Sequence, residues 1–237
     1  MRHLLLLVVL LASATTLAQH RHRHGRGQRQ QPWQLHIDQR WGEPARVRPD
    51  LFALHRACQA AFFYASEQQR CVDLAVRAPF DATATISACQ AAVYYASDRL
   101  ECLEAALSTR VDVSASVAAC DRAVYYDSDV KECVRTVASA GRDLSAVVAA
   151  CDGALYYDSD VKRCVATAAR VGAGCHDSNA AEVIRACDAA VYYDSDVQRC
   201  VELGLSYGPG ASEVVRFCDQ SRYYDSDVLE CVRRFHW

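Results

Sequence analysis

Cys120-Asp121-Arg122-Ala123-Val124-Tyr125-Tyr126-Asp127-Ser128-Asp129-Val130-Lys131-Glu132-Cys133 decides the fold, because the chain returns to it. It recurs as C-D-G-A-L-Y-Y-D-S-D-V-K-R-C at 151–164 and C-D-A-A-V-Y-Y-D-S-D-V-Q-R-C at 187–200, and most divergently as C-Q-A-A-F-F-Y-A-S-E-Q-Q-R-C at 58–71. The first cysteines Cys58, Cys89, Cys120 and Cys151 are 31 residues apart; a five-residue insertion precedes Cys187, and Cys218 follows 31 later. Thirteen residues after each stands a second cysteine: Cys71, Cys102, Cys133, Cys164, Cys200 and Cys231. A fixed period of this length is the mark of stacked repeats, and a degenerate first copy fits a terminal cap.

Within a copy the apolar residues keep helical spacing. Val117, Cys120, Ala123 and Val124 fall on one face before the Tyr-Tyr pair, and Val130, Cys133, Val134 and Val137 fall on another after it. Alanine is abundant and β-branched runs are short, which disfavours strand. The serine after the aromatic pair (Ser66, Ser97, Ser128, Ser159, Ser195, Ser226) reads as the N-cap of the second helix, with Ser66 and Gln69 forming a capping box. An acid follows each serine, where it meets the positive end of the helix dipole. Gly141, Gly172, Gly174, Gly208 and Gly210 fall between copies, as helix stops. The expected fold is all-α, a right-handed α-solenoid of six disulfide-stapled helical hairpins over 51–237.

Two cysteines at matching distances from a turn lie at one height on antiparallel helices, so the hairpin predicts six bridges within copies, Cys58–Cys71 through Cys218–Cys231. The alternative is one continuous helix per copy, in which the two thiols diverge and bridge neighbouring copies.

The ends bound the setting. Met1-Arg2-His3, an apolar run from Leu4 to Leu11 and a small-residue stretch ending at Ala18 have the order of a secretory signal peptide. Cleavage is expected after Ala18, with no lipid anchor because no cysteine lies nearby. No apolar stretch has the length of a membrane span. All 13 cysteines follow residue 57, and an oxidising compartment, secreted or periplasmic, is expected to pair them.

Residues 19–50 carry seven arginines against three acids, and 51–237 carry 18 Lys+Arg against 26 Asp+Glu. An acidic body lacks the field that phosphate binding needs, which argues against a nucleic-acid partner. The leader 19–50 is expected to be largely disordered, with a loose metal affinity open to His20, His22 and His24. Trp33 and Trp41 suit an arm against the first copy.

Paired cysteines stapling short αα units in a secreted chain resemble the disulfide-rich Sel1-like repeat proteins, a branch of the tetratricopeptide-type solenoids. The resemblance covers 51–237 as architecture only: those families use a longer repeat and a shorter cysteine spacing, and lack the Tyr-Tyr-Asp-Ser-Asp turn. It implies protein or ligand binding on a helical surface and transfers no functional residue.

Three candidate sites remain. The paired acids, Asp127 with Asp129, Asp158 with Asp160, Asp194 with Asp196 and Asp225 with Asp227, read as helix caps, with a calcium-dependent role as the alternative. The aromatic pairs read as packing between turns, with one ring buried and one exposed; Tyr64, Tyr95, Tyr126, Tyr157, Tyr193 and Tyr224 are the candidate binding ridge. Cys175, in Cys175-His176-Asp177 of the insertion, is the odd thiol, expected to be free and able to form a disulfide dimer. No motif for a serine hydrolase, zinc protease or phosphate-binding loop occurs, so no catalysis and no cofactor are expected. The function expected is a non-catalytic scaffold for a protein or cell-surface ligand.

Overall fold

A computed structural model of the chain describes residues 50–171 and 177–235. The signal sequence, the leader with its histidines, Trp33 and Trp41, and Gly172, Gly174, Cys175 and His176 lie outside the described residues, as does the side chain of Asp177.

The described residues form twelve helices and no strand. The first helices of the six hairpins are α1 (Leu51–Ala61), α3 (Thr83–Ala92), α5 (Ser114–Ala123), α7 (Ser145–Ala154), α9 (Asp177–Ala190) and α11 (Ala211–Ser221). The second helices are α2 (Ala65–Ala75), α4 (Ala96–Leu107), α6 (Asp127–Ala140), α8 (Asp158–Val171), α10 (Asp194–Tyr207) and α12 (Asp225–Arg234). First helices pack on first helices and second on second, so the hairpins stack in two layers. This is the repeat solenoid that the period predicts.

The two apolar faces read from the third copy are both in the core. Val117, Cys120, Ala123 and Val124 are buried from α5 and its turn, as are Val130, Cys133, Val134 and Val137 from α6. Each cysteine pair is bridged within its own hairpin, with Cα atoms 5.6–5.9 Å apart. The hairpin arrangement holds and the continuous helix does not. Six bridges are the chemistry of an oxidising, non-cytosolic compartment. No described helix is long and apolar enough to cross a membrane.

Away from the tyrosine turns, repeats are joined through short polar residues. Buried Thr85 and Ser116 donate to Asp112 and Asp143 of the following repeat at 3.0 and 2.5 Å. Those same carboxylates cap α5 and α7 by accepting the Ser114 and Ser145 N–H groups. Gly141 ends α6 at φ 66°, a left-handed conformation that favours glycine, as its place between copies predicts.

Candidate binding surface

The turn between the two helices of a hairpin has three residues, and its first decides the rest. Val124 is extended (φ −137°, ψ 149°) and its N–H donates to the Cys120 carbonyl at 3.2 Å, which drives its side chain into the core. Val93, Leu155 and Val191 occupy the same buried place. The inward position of the turn is therefore filled before the aromatic pair begins.

Both rings of every pair consequently face outward. The first ring (Phe63, Tyr94, Tyr125, Tyr156, Tyr192, Tyr223) is 78–90% exposed and the second (Tyr64, Tyr95, Tyr126, Tyr157, Tyr193, Tyr224) 61–66%. This corrects the expectation of one buried ring per pair. That expectation assumed adjacent residues of a helix, about 100° apart, whereas Tyr125 and Tyr126 lie in an extended turn. The six candidate ridge tyrosines are exposed, and their more exposed partners belong to the same ridge. The signal for the first ring was the apolar residue directly before the first five pairs, a place that exposed Arg222 takes in the sixth.

Within each pair the rings meet edge to face, with centroids 5.1–5.3 Å apart and planes at 87–89°. The contact is of the favourable geometry for π-systems, and it stiffens the pair while leaving ring faces open. None of the ridge hydroxyls bonds to another described residue.

The second helix begins one residue before the serine, at Ala65 and Ala96 in the first two copies and at the acid in the other four. Tyr126 occupies the N-cap, with no side-chain cap bond, and its carbonyl accepts from the Asp129 and Val130 N–H groups at 2.8 and 2.9 Å. Ser128 is in the first turn and exposed, so the serine cap and the Ser66/Gln69 capping box are not formed. Gln69 instead donates to Asp73.

The two acids of a turn serve different neighbours. Asp127 accepts the Tyr94 N–H of the preceding repeat through Oδ2 at 2.9 Å. Asp158, Asp194 and Asp225 do the same for Tyr125, Tyr156 and Tyr192, at 2.8–3.0 Å. This clamp occupies a donor that the extended turn leaves without a helical partner. It also orients four of the six aromatic pairs, those of repeats two to five, from the next repeat. Ala65 belongs to the first repeat, which has no predecessor to clamp, while Ala96 leaves the first pair unclamped.

The second acid binds a lysine where the next repeat supplies one. Lys131 reaches back to Asp98 at 2.7 Å and Glu101 at 3.2 Å, and Lys162 to Asp129 at 2.7 Å and Glu132 at 2.6 Å. Hydrogen bonding to Asp98 raises the Lys131 pKa above the ordinary lysine value, and hydrogen bonding to Asp129, then to Glu132, does the same for Lys162. Gln198 and Leu229 hold the lysine's place in repeats five and six, so Asp160 and Asp196 have no lysine to meet, and Asp227 belongs to the last repeat. Asp196 is half-buried in the first turn of α10, where its N–H donates to the Tyr193 carbonyl at 2.8 Å; Asp227 repeats that bond to Tyr224 at 2.9 Å.

The acids singled out as cation candidates are therefore not gathered into one site. In each pair the first carboxylate (Asp127, Asp158, Asp194, Asp225) is turned to a backbone N–H of the preceding repeat, and the second (Asp129, Asp160, Asp196, Asp227) does not share that partner. Among the described residues no three His, Cys, Asp or Glu side chains converge on a metal position. The physical reason is the stacking, which turns the first acid of each turn to the preceding repeat and, in Asp127-Ser128-Asp129, the second to the following one.

Between the turns of the second and third repeats runs a shallow groove. It is lined by Tyr94, Tyr125, Asp121, Asp127 and Arg99 over a floor that includes Val93. The Arg99 guanidinium is already engaged by the Val93 and Ala61 carbonyls at 2.9 and 2.8 Å. Asp121 and its counterparts Asp152, Asp188 and Asp219 are exposed, and form no ion pair among the described residues. Sequence reasoning did not single out these four acids, although they recur one residue after the first cysteine of copies three to six.

No family model matches the chain, nor does any curated protein or solved structure.

Proposed function

We propose that this chain is a secreted or periplasmic, non-catalytic scaffold that binds a protein or cell-surface ligand along its tyrosine ridge. One observation carries the reading: twelve aromatic side chains in six fixed pairs stand outside the core at the same place in every repeat. Large aromatic surface left in water has a cost that packing relieves, and such rings supply most of the energy where proteins bind. Pinning the turns by disulfides and carboxylate clamps reduces the entropy lost when a partner docks. The signal-like N-terminus and the bridges together support the extracytoplasmic setting. The architecture resembles Sel1-like and tetratricopeptide-type solenoids, and that likeness supports the same kind of role by analogy.

The experiment is retention of partners from the envelope or medium of the source cells by full-length protein and by a Tyr95→Ser, Tyr126→Ser, Tyr157→Ser, Tyr193→Ser variant. These side chains are exposed, so the variant is expected to keep its helical circular dichroism. Loss of the retained partner with an unchanged spectrum supports the ridge. Equal retention by the two proteins removes it.

A further inference from the structure

We infer that the grooves between turns recognise an extended, guanidinium-bearing polypeptide, one basic residue per repeat. The inference rests on the ridge being the binding surface and names its ligand chemistry.

The groove between repeats two and three sets tyrosine rings beside carboxylates, Tyr94 and Tyr125 with Asp121 and Asp127, and the sequence repeats those residues in the later copies. Ring faces attract cations, arginine above all, and a carboxylate adds a directional charge-assisted bond. Asp127 uses Oδ2 for the Tyr94 N–H, which leaves Oδ1 for an incoming donor, while exposed Asp121 is unpaired among the described residues.

Arg99 lines the groove between repeats two and three with its guanidinium already engaged by two carbonyls, and Val130, Val161 and Val197 take its place in repeats three to five. Arg122 follows Asp121 in repeat three, but repeats four and five carry Gly153 and Ala189 there. Over 51–237 the acids exceed the bases, 26 to 18. A neutral sugar chain could use the rings and donate hydroxyls to the carboxylates but would leave their negative charge uncompensated, so charge complementarity favours the cationic polypeptide.

The period sets a register. Helices packed in one layer lie about 8–10 Å apart. Three residues of extended or polyproline-like chain advance about 9–10 Å. A basic side chain at every third residue therefore meets one groove after another. The insertion between repeats four and five does not interrupt the series, because Asp194 still clamps the Tyr156 N–H at 3.0 Å.

The test is calorimetric titration of the full chain with three peptides and one sugar. (Arg-Gly-Gln)4 carries the predicted spacing, and (Arg-Gly-Gln-Gly)4 has the same charge out of register. (Citrulline-Gly-Gln)4 keeps the shape without charge, and chitohexaose offers stacking alone. The in-register arginine peptide is expected to bind at least about tenfold tighter than the other two peptides, since each misplaced contact forfeits its share of a multivalent gain. Either Tyr125→Ser, Tyr156→Ser, Tyr192→Ser or Asp121→Asn, Asp152→Asn, Asp188→Asn should weaken it by a similar factor with helicity unchanged.

Equal affinity for the two arginine peptides, or for the citrulline peptide, overturns the inference; so does an affinity that neither variant changes, or no binding at all. Tyrosine-dependent binding of chitohexaose without peptide binding would retain the ridge as a surface and replace the cation with a sugar. Failure of every probe, together with equal partner retention by the Tyr95→Ser, Tyr126→Ser, Tyr157→Ser, Tyr193→Ser variant, would remove the scaffold reading as well.

Discussion

Two neighbouring contacts in this solenoid are built from nearly the same sequence and are held in different ways. Between repeats three and four, Lys162 crosses to Asp129 and Glu132. Between repeats four and five, Gln198 stands where Lys162 would, buried, with its Oε1 unpartnered, and Asp160 has no lysine to meet. Repeat five also differs within its own hairpin, where its two helices pack closely. A Cβ on Gly204 of α10 would lie 2.6 Å from the Val183 Cγ1 of α9, while the same position is Val137 in repeat three and Ala168 in repeat four. The carboxylate clamp on the turn is present at both contacts. The turn edge is thus kept constant while the helix layer behind it varies, as expected if the exposed edge is the part in use.

The largest effect should come from the bridges. Each closes a loop of the same length, worth about 3 kcal/mol in the chain-entropy model. Replacing Cys187 and Cys200 by alanine should therefore cost as much, locally, as replacing Cys151 and Cys164. The contact between repeats four and five lacks the lysine pair, so the repeat-five variant should unfold in two steps and the repeat-four variant in one. Urea unfolding followed by circular dichroism reads this directly. Helicity at room temperature should survive in both, and a single shared transition for the two variants would show that the contacts are equally strong.

Packing comes next. Gly204→Ala puts a methyl against a stiff, β-branched side chain and should cost about 1–3 kcal/mol. Gly153→Ala is its control: nothing lies within 4 Å of the added carbon in α7, and the better helix former should stabilise by about 0.5–1 kcal/mol. A neutral Gly204→Ala would mean that α9 and α10 can separate without loss.

The period, the paired cysteines and the two helical faces made the fold legible, because each is a local pattern repeated six times. The ridge was half legible. The tyrosines were visible, but their direction depends on an extended turn that helical geometry does not describe, and on Val124 taking the inward place. The acids were visible too, yet their partners sit 33 residues away, in the next repeat for Asp98 with Lys131 and in the preceding one for Asp127 with Tyr94. Within a single copy, Asp-Ser-Asp looks like a cap or a cation loop. Only stacking reveals that the two carboxylates of Asp127-Ser128-Asp129 join the same copy to both of its neighbours.

The lysine pair gives a smaller and reversible effect. Asp129 and Lys162 side chains are each 21% exposed, so Lys162→Met should cost about 1–2 kcal/mol by leaving Asp129 with less than full solvation. Gln198→Lys offers Asp160, which meets only Arg163 of its own helix at 4.0 Å, a lysine from the next repeat and should recover a similar amount at the contact between repeats four and five. Because the folded lysine pKa is raised, the pair's stabilisation is fully present below the ordinary lysine value of about 10.4 and fades as pH climbs through the higher folded value. Alkaline unfolding should therefore be steeper in the natural chain than in Lys162→Met. Parallel pH curves for the two would dissociate the pair from stability.

The smallest expected change is at the clamp, and it separates the two acids of one turn. Asp158→Ala removes the acceptor of the Tyr125 N–H, which bonds at 2.9 Å in the natural chain. Water can replace it at this exposed edge, so the cost to stability should stay below about 1 kcal/mol. The local consequence is larger than the global one, because an N–H released from a carboxylate exchanges with solvent whenever the turn is wet. Amide hydrogen exchange should show Tyr125 losing protection in Asp158→Ala and keeping it in Asp160→Ala. Asp158→Asn retains an acceptor oxygen and should keep most of it. Phe63 is the internal reference, since Ala96 stands where its clamping acid would be, and its amide should exchange fast in every variant. Equal protection of Phe63 and Tyr125 in the natural chain would show that the clamp does not order the ridge.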